Sequence, residues 1–182
     1  MLPIGVVVNP LSGKDIRRLS GKASVFDNRE KEAIVRRAIA GAVAAGARKF
    51  AYMNDSHGIA ASGFYDVEGI DVLPVECPRS ATMFDTIESA LQLSELNCAA
   101  VLVLGGDGTN RAFVKGWREA VMMPLSTGTN NVFPVLAEAT VAGSTLGLIG
   151  SGKLNACEVS RVVKIIDIDI EGEASDIALI DA

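Results

Sequence analysis

The sequence predicts an α/β fold: a parallel sheet between two helical layers, running on into a β-rich segment. Three observations carry this reading. Five short apolar runs each end in a polar or glycine-rich loop, and stretches of helical length or amphipathic period separate most of them. The runs are nearly unbroken, as expected of strands buried on both faces. After Arg161 the period changes to alternation, with Asp and Ile taking turns.

Ile4 to Asn9 is the first strand and stops at Pro10. Leu11 to Phe26 is polar and basic without a sustained period, and reads as a long loop. Asp27 and Glu30 have capping-box spacing. The helix they open carries Ile34, Val35, Ala38, Ile39, Ala42 and Val43 on one face and ends at Gly46. Lys49 to Met53 is the second strand, 54–58 a turn, and Ile59 to Phe64 a short helix. Val72 to Val75 is the third strand. Ser80 is placed to cap a helix to about Leu93, with Met83, Ile87 and Leu91 inward. Ala99 to Leu104 and Val121 to Leu125 are the fourth and fifth strands, followed by helices over 110–118 and 139–149. Right-handed crossovers then place helices on both faces of the sheet. Residues 1–158 form the α/β domain, and 159–182 the first strands of a second, β-rich domain, folded as a hairpin about Glu171-Gly172-Glu173.

Composition narrows the function. The chain has 182 residues, 49% of them hydrophobic, with a mean hydropathy of +0.31. A domain of this size buries roughly 70% of its unfolded surface and needs no covalent staples. Net charge is −5 and the isoelectric point about 4.9, with no basic stripe interleaved with aromatics, which argues against nucleic acid as partner. No apolar stretch reaches a membrane-spanning length, and the start lacks the pattern of a signal peptide. Cys77, Cys98 and Cys157 are far apart and odd in number, which fits reduced core thiols in a cytoplasmic protein.

Two loops carry the chemistry. Gly105-Gly106-Asp107-Gly108-Thr109 follows the fourth strand, and Ser126-Thr127-Gly128-Thr129-Asn130-Asn131 follows the fifth. Without Cβ atoms, backbone N–H groups can close on a phosphate. In open α/β sheets ligands bind beyond the carboxyl ends of the strands. There these loops meet the first one, Asn9 to Lys14, and the helices after the two glycine loops aim their N-termini at the same crevice. Lys14, Arg17, Arg18 and Lys22 give the first loop local positive charge. A carboxylate inside a phosphate loop is unusual. Asp107 is best explained as the base that takes the proton of an attacking hydroxyl during phosphoryl transfer. The plainer alternative makes it the cap of the helix beginning near Asn110.

Asn9-Pro-x-Ser-Gly, Gly105-Gly-Asp-Gly-Thr-Asn and Ser126-Thr-Gly-Thr-Asn-Asn resemble the superfamily of NAD kinases and diacylglycerol-kinase-like enzymes. Gly105-Gly-Asp-Gly-Thr-Asn-Arg together with Leu125-Ser-Thr-Gly-Thr-Asn-Asn-Val-Phe-Pro looks most like the acetoin-catabolism X proteins within it. The resemblance implies a nucleotide-binding α/β domain followed by a β-sandwich, with the site between them. It implies ATP with Mg²⁺ or another divalent cation as donor, and Asp107 as the catalytic aspartate. Gly105, Gly106, Gly108, Thr109 and Asn110 would belong to the phosphate-cradling loop. Asn9, Ser12 and Gly13 would form the first nucleotide loop, and Thr127, Gly128, Thr129 and Asn130 the second glycine loop. The expected acceptor is a hydroxyl of a small molecule, NAD foremost. A lipid or sphingoid acceptor, or a nucleotide-sensing module without transfer, are the alternatives. Lipid kinases of this group commonly carry Asn-Glu after the aspartate loop. Arg111 stands in place of that Glu and suits a phosphate-bearing acceptor. A β domain usually supplies acceptor and oligomer contacts, so a homo-oligomer is admitted. A dinucleotide oxidoreductase is disfavoured, since no G-x-G-x-x-G follows the first strand.

Other residues have plainer readings. His57 is a turn residue, Phe113 and Trp117 are core, and Asp167, Asp169, Glu171 and Glu173 form the wet face of the hairpin.

Overall fold

A computed structural model of the chain describes residues 1–13, 27–127 and 131–180. Five strands form one parallel sheet: β1 (Ile4–Val8), β2 (Lys49–Met53), β3 (Asp71–Val75), β4 (Ala100–Gly105) and β5 (Met122–Ser126). The helices are α1 (Asn28–Ala45), α2 (Ile59–Ser62), α3 (Met83–Glu95), α4 (Asp107–Gly116), α5 (Ala139–Gly150) and the single turn α6 (Ala156–Val159). The strand order is β3-β2-β1-β4-β5. The chain therefore builds outward from β1 in one direction, returns, and builds outward in the other. The point of reversal lies between β1 and β4, where an open sheet leaves a crevice for a ligand.

The layers follow from the pleat. Ile4, Val6 and Val8 of β1 pack with Leu102, Leu104, α1, α2 and α5. Val7 faces the other way, with Val101, Val103, Leu93 of α3 and Phe113 of α4. Both faces of β1 and β4 are buried, which accounts for their unbroken apolar sequences. On the first face α1 and α5 nearly touch. A Cβ on Gly143 would lie 1.8 Å from the Ala38 carbonyl, and one on Gly147 2.3 Å from that of Ala42. Helix α1 begins as its sequence dictates: Asp27 accepts the Glu30 amide at 2.8 Å, and Gly46 ends it in a left-handed conformation at φ 113°.

Helix α3 departs from expectation. It starts at Met83 with Thr82 at the N-cap, and Met83 and Leu91 lie exposed. Its inner face is Asp85, Thr86, Ser89, Ala90 and Leu93. Buried Asp85 accepts the Ser80 amide, the Ser80 hydroxyl and the Ala81 amide, so Ser80 serves a loop instead of capping the helix. The short helix α2 stops at Ser62, and α4 begins at Asp107, three residues before the expected Asn110. Cys98 is buried, Cys77 half-buried and Cys157 exposed, so Cys157 is not the core thiol expected of it.

After α6 the chain forms an antiparallel hairpin, β6 (Ile166–Ile168) with β7 (Asp176–Ala178), pairing Asp167 with Ile177. Among the described residues no helix is long and apolar enough to cross a membrane.

Candidate active site

The first loop leaves β1 at Asn9, whose amide continues the ladder to the Leu104 carbonyl at 3.1 Å. The chain turns at once because Pro10 has no N–H to offer a sheet. The Asn9 side chain accepts the Leu11 amide at 2.9 Å. The Ser12 amide and hydroxyl both donate to the Asn9 carbonyl, at 3.3 and 2.7 Å. Gly13 completes the turn at φ 76°, which favours glycine.

The second loop is a strand-to-helix junction. Gly105 ends β4, Gly106 is the N-cap and Asp107 opens α4. A Cβ on Gly105 would lie 2.5 Å from the Thr109 side chain, so only glycine lets α4 rise this close to the strand. A Cβ on Gly106 would lie 2.8 Å from Asn131 Oδ1, whereas Gly108 has open space around it and is exposed. Gly108 is thus the position where a ligand can come up to the backbone, at the positive end of the helix. Thr109 and Asn110 are buried. Asn110 Nδ2 donates to the Gly106 carbonyl at 2.9 Å, and its Oδ1 has no hydrogen-bond partner among the described residues. Asn110 thus braces the loop from behind.

Asp107 does not cap its own helix, which overturns the plainer reading of it. Its carboxylate reaches across to the chain beyond β5, where it accepts the Val132 amide at 3.1 Å and the Phe133 amide at 2.8 Å. The third loop is tied in again from its other end. Thr127 Oγ1 donates to Ser12 Oγ at 2.8 Å, and Asn131 Nδ2 donates to Ser126 Oγ at 2.8 Å. Asn9 Nδ2 closes the ring on Thr109 Oγ1 at 2.9 Å. Asn9, Ser12, Gly105, Gly106, Asp107, Thr109 and Thr127 are therefore brought together at the point of sheet reversal. Gly128, Thr129 and Asn130, and Lys14, Arg17, Arg18 and Lys22, lie outside the described residues.

Beside the loops is a cavity of about 250 Å³. Asp107, Gly108 and Arg111 line it from α4, and Ile168, Ile177 and Leu179 from the hairpin. Arg111 does not stand free there for a phosphate. It pairs with Asp176, and its Nε donates to the Ile177 carbonyl at 2.6 Å. Lys115 adds a second cation to Asp176 at 3.0 Å, and Arg118 grips Asp167 at 2.9 Å. Arg111 and Lys115 lie one turn apart on α4, and Arg118 follows just beyond its end. The pairing holds the carboxyls of Asp167 and Asp176 below their ordinary value, chiefly through hydrogen bonds from Arg118 and Lys115 respectively.

Among the described residues no three His, Cys, Asp or Glu side chains gather as a metal cage. His57 sits in the turn after β2, its Nδ1 3.0 Å from Ser56 Oγ. Phe113 is buried and packs against Trp117, ring centroids 6.3 Å apart, as core residues do. Burial pushes the Cys98 thiol up to about 12, which keeps it protonated.

Sequence reasoning missed three parts of this arrangement: the Val132 and Phe133 amides, Asp176, and Lys31. The amides and Asp176 leave no local trace, since their partners are about 25 and 65 positions away. Lys31 did leave one. It falls on the apolar stripe of α1, one turn before Ile34 and Val35, where a cation is out of place.

No family model matches the chain, and no solved structure matches it. The curated acetoin catabolism protein X of Cupriavidus necator is 32% identical, aligned over 98% of this chain and 53% of its own length. The chain thus spans about half the length of the curated relative it matches. The likeness read from the two glycine loops therefore extends along almost the whole chain, which is a relative of acetoin catabolism protein X.

Proposed function

We propose that this chain transfers a phosphoryl group from ATP to a hydroxyl of a small molecule, with NAD the leading acceptor. The observation that carries the reading is the ring of hydrogen bonds joining three strand-end loops around Asp107 at the sheet's reversal point. Such a ring fixes backbone amides and hydroxyls before the nucleotide arrives, and preorganisation is the main contribution a protein makes to phosphoryl transfer.

Gly108 and the first turn of α4 would meet the phosphates, with Asn9, Ser12, Gly13 and Thr127 on the opposite bank. Gly128, Thr129 and Asn130 are proposed to belong to the nucleotide-binding set, as the resemblance implies. A Mg²⁺ ion typically takes one or two carboxylates together with substrate phosphates, so Asp107 alone fits without a protein cage. When bound, the ion would neutralise charge developing on the transferred group. Asp107 would accept the proton of the acceptor hydroxyl entering from the 250 Å³ cavity that it lines. A carboxylate has about four acceptor sites, so two backbone amides do not exhaust it.

One observation favours a second reading. The Asp107 carboxylate already serves as the tie between two loops, which suits a module that binds a nucleotide without transferring from it. Labelled ATP and magnesium offered with NAD, NADH, diacylglycerol or no acceptor separates the two. Transfer to NAD, lowered about 10²-fold or more by Asp107→Asn with nucleotide binding retained, is the expected result. Equal turnover in the variant removes Asp107 from catalysis. Nucleotide binding without transfer to any alcohol decides for the second reading.

A further inference from the structure

We infer that Lys31, a residue of α1 outside the three loops, is the positioning residue that sets the first loop for the nucleotide; this rests on the nucleotide-binding reading above. Lys31 is wholly buried. Its Nζ donates to the Pro10 carbonyl at 2.8 Å, to the Asn9 carbonyl at 3.0 Å and to Asn28 Oδ1 at 3.4 Å. An ammonium out of water costs much unless carbonyl or carboxylate oxygens surround it, so its presence under this loop requires a use.

The use follows from peptide geometry. In a trans peptide plane the C=O and the next N–H point in opposite directions. With the Pro10 carbonyl drawn inward to Lys31, the Leu11 N–H is turned outward, where it meets Asn9 Oδ1. Because Oδ1 takes that donor, Nδ2 is the end of the Asn9 amide left to reach Thr109 Oγ1 in the glycine loop. The second branch runs through the Asn9 carbonyl, which Lys31 shares with Ser12. The Ser12 hydroxyl donates to it and accepts from Thr127. One buried ammonium thus fixes the rotamers of both side chains by which the first loop grips the other two. Charge-assisted bonds are the strong members of such a relay, and neighbouring bonds polarise one another.

The test measures the affinity of the chain for a non-hydrolysable ATP analogue with magnesium by calorimetry, with thermal unfolding recorded alongside. Lys31→Met should bind about tenfold or more weakly. Lys31→Arg, which keeps the charge and its donors, should recover most of that loss. Asn9→Ala in the Lys31→Met background should add little, because Lys31 acts through Asn9. If Lys31→Met does not fold, Lys31→Gln, which keeps a donor, carries the same comparison. Affinity unchanged by the substitution, or losses from Lys31 and Asn9 that simply add, overturns the inference. A parent chain that binds no nucleotide removes the underlying reading itself, and is seen before any residue is changed.

Discussion

The crevice and the hairpin beside it are held by opposite means. In the crevice the described ties between loops join neutral hydroxyl, amide and backbone groups and the Asp107 carboxylate, with the Lys31 ammonium buried beneath the first loop, and two of the three loops hang from strands buried on both faces. The hairpin has a three-residue ladder, too short to stand alone, and is fastened to α4 and the residues just after it by ion pairs at the surface, the Arg111–Asp176 pair half-buried. Helix α4 belongs to both: its first residue is in the crevice, its outer face carries Arg111 and Lys115, and Arg118 follows just beyond its end. The comparison teaches that the floor of the site is fixed by the fold, whereas the wall over it is attached by charge. Salt should loosen the wall before the floor.

Gly105→Val is the most severe way to break the floor. Its Cβ would need the space of the Thr109 side chain, and overpacking on that scale costs roughly 3 kcal/mol. Denaturant unfolding should show a large loss of stability, and a parent-like midpoint would mean that α4 can retreat from the strand. Thr109→Val is gentler. It keeps the shape, removes the acceptor for Asn9 Nδ2, and should cost about 1 kcal/mol in the same measurement, with weaker nucleotide binding. The wall is probed by Asp176→Asn, which should leave global stability near that of the parent while amides of β6 and β7 exchange faster. Acid should do the same in the parent. The folded Asp167 and Asp176 titrate below their ordinary 3.8, so the folded form releases these protons more readily than the unfolded chain. The stabilisation is therefore complete above 3.8 and is lost as pH falls below it through the folded values. Hairpin amides that keep their protection in acid or concentrated salt would show that Ile177 and its neighbours dock the hairpin without help from charge.

Much of the frame was readable because its signals are local. Asp27 and Gly46 mark the ends of α1, and unbroken apolar runs mark the strands within a residue or so. The start of α3 was not readable. Ser80 satisfies every local rule for a cap, yet buried Asp85 takes both its amide and its hydroxyl. Arg79 and Ala81 accept positive φ values, 56° and 57°, within that loop. The inner face of α3 was misjudged for a related reason: small Ser89 and Ala90 face inward on the sheet side, and Met83 and Leu91 are left outside. At the site, the glycine loops and Asn9 announced themselves by composition. The partner of Asp107 did not, nor did the engagement of Arg111 with the hairpin, because each depends on residues remote in sequence.

The sequence by itself determined which segments are strands, where three ligand-facing loops lie, and that one of them contains a carboxylate, since each of these is written in neighbouring residues. Tertiary structure decided what that carboxylate holds, that Arg111 braces a hairpin, and that a lysine on an apolar helix face stands beneath the first loop. These are matters of distance between segments far apart along the chain, and only the order in which β1 and β4 come to lie side by side fixes them.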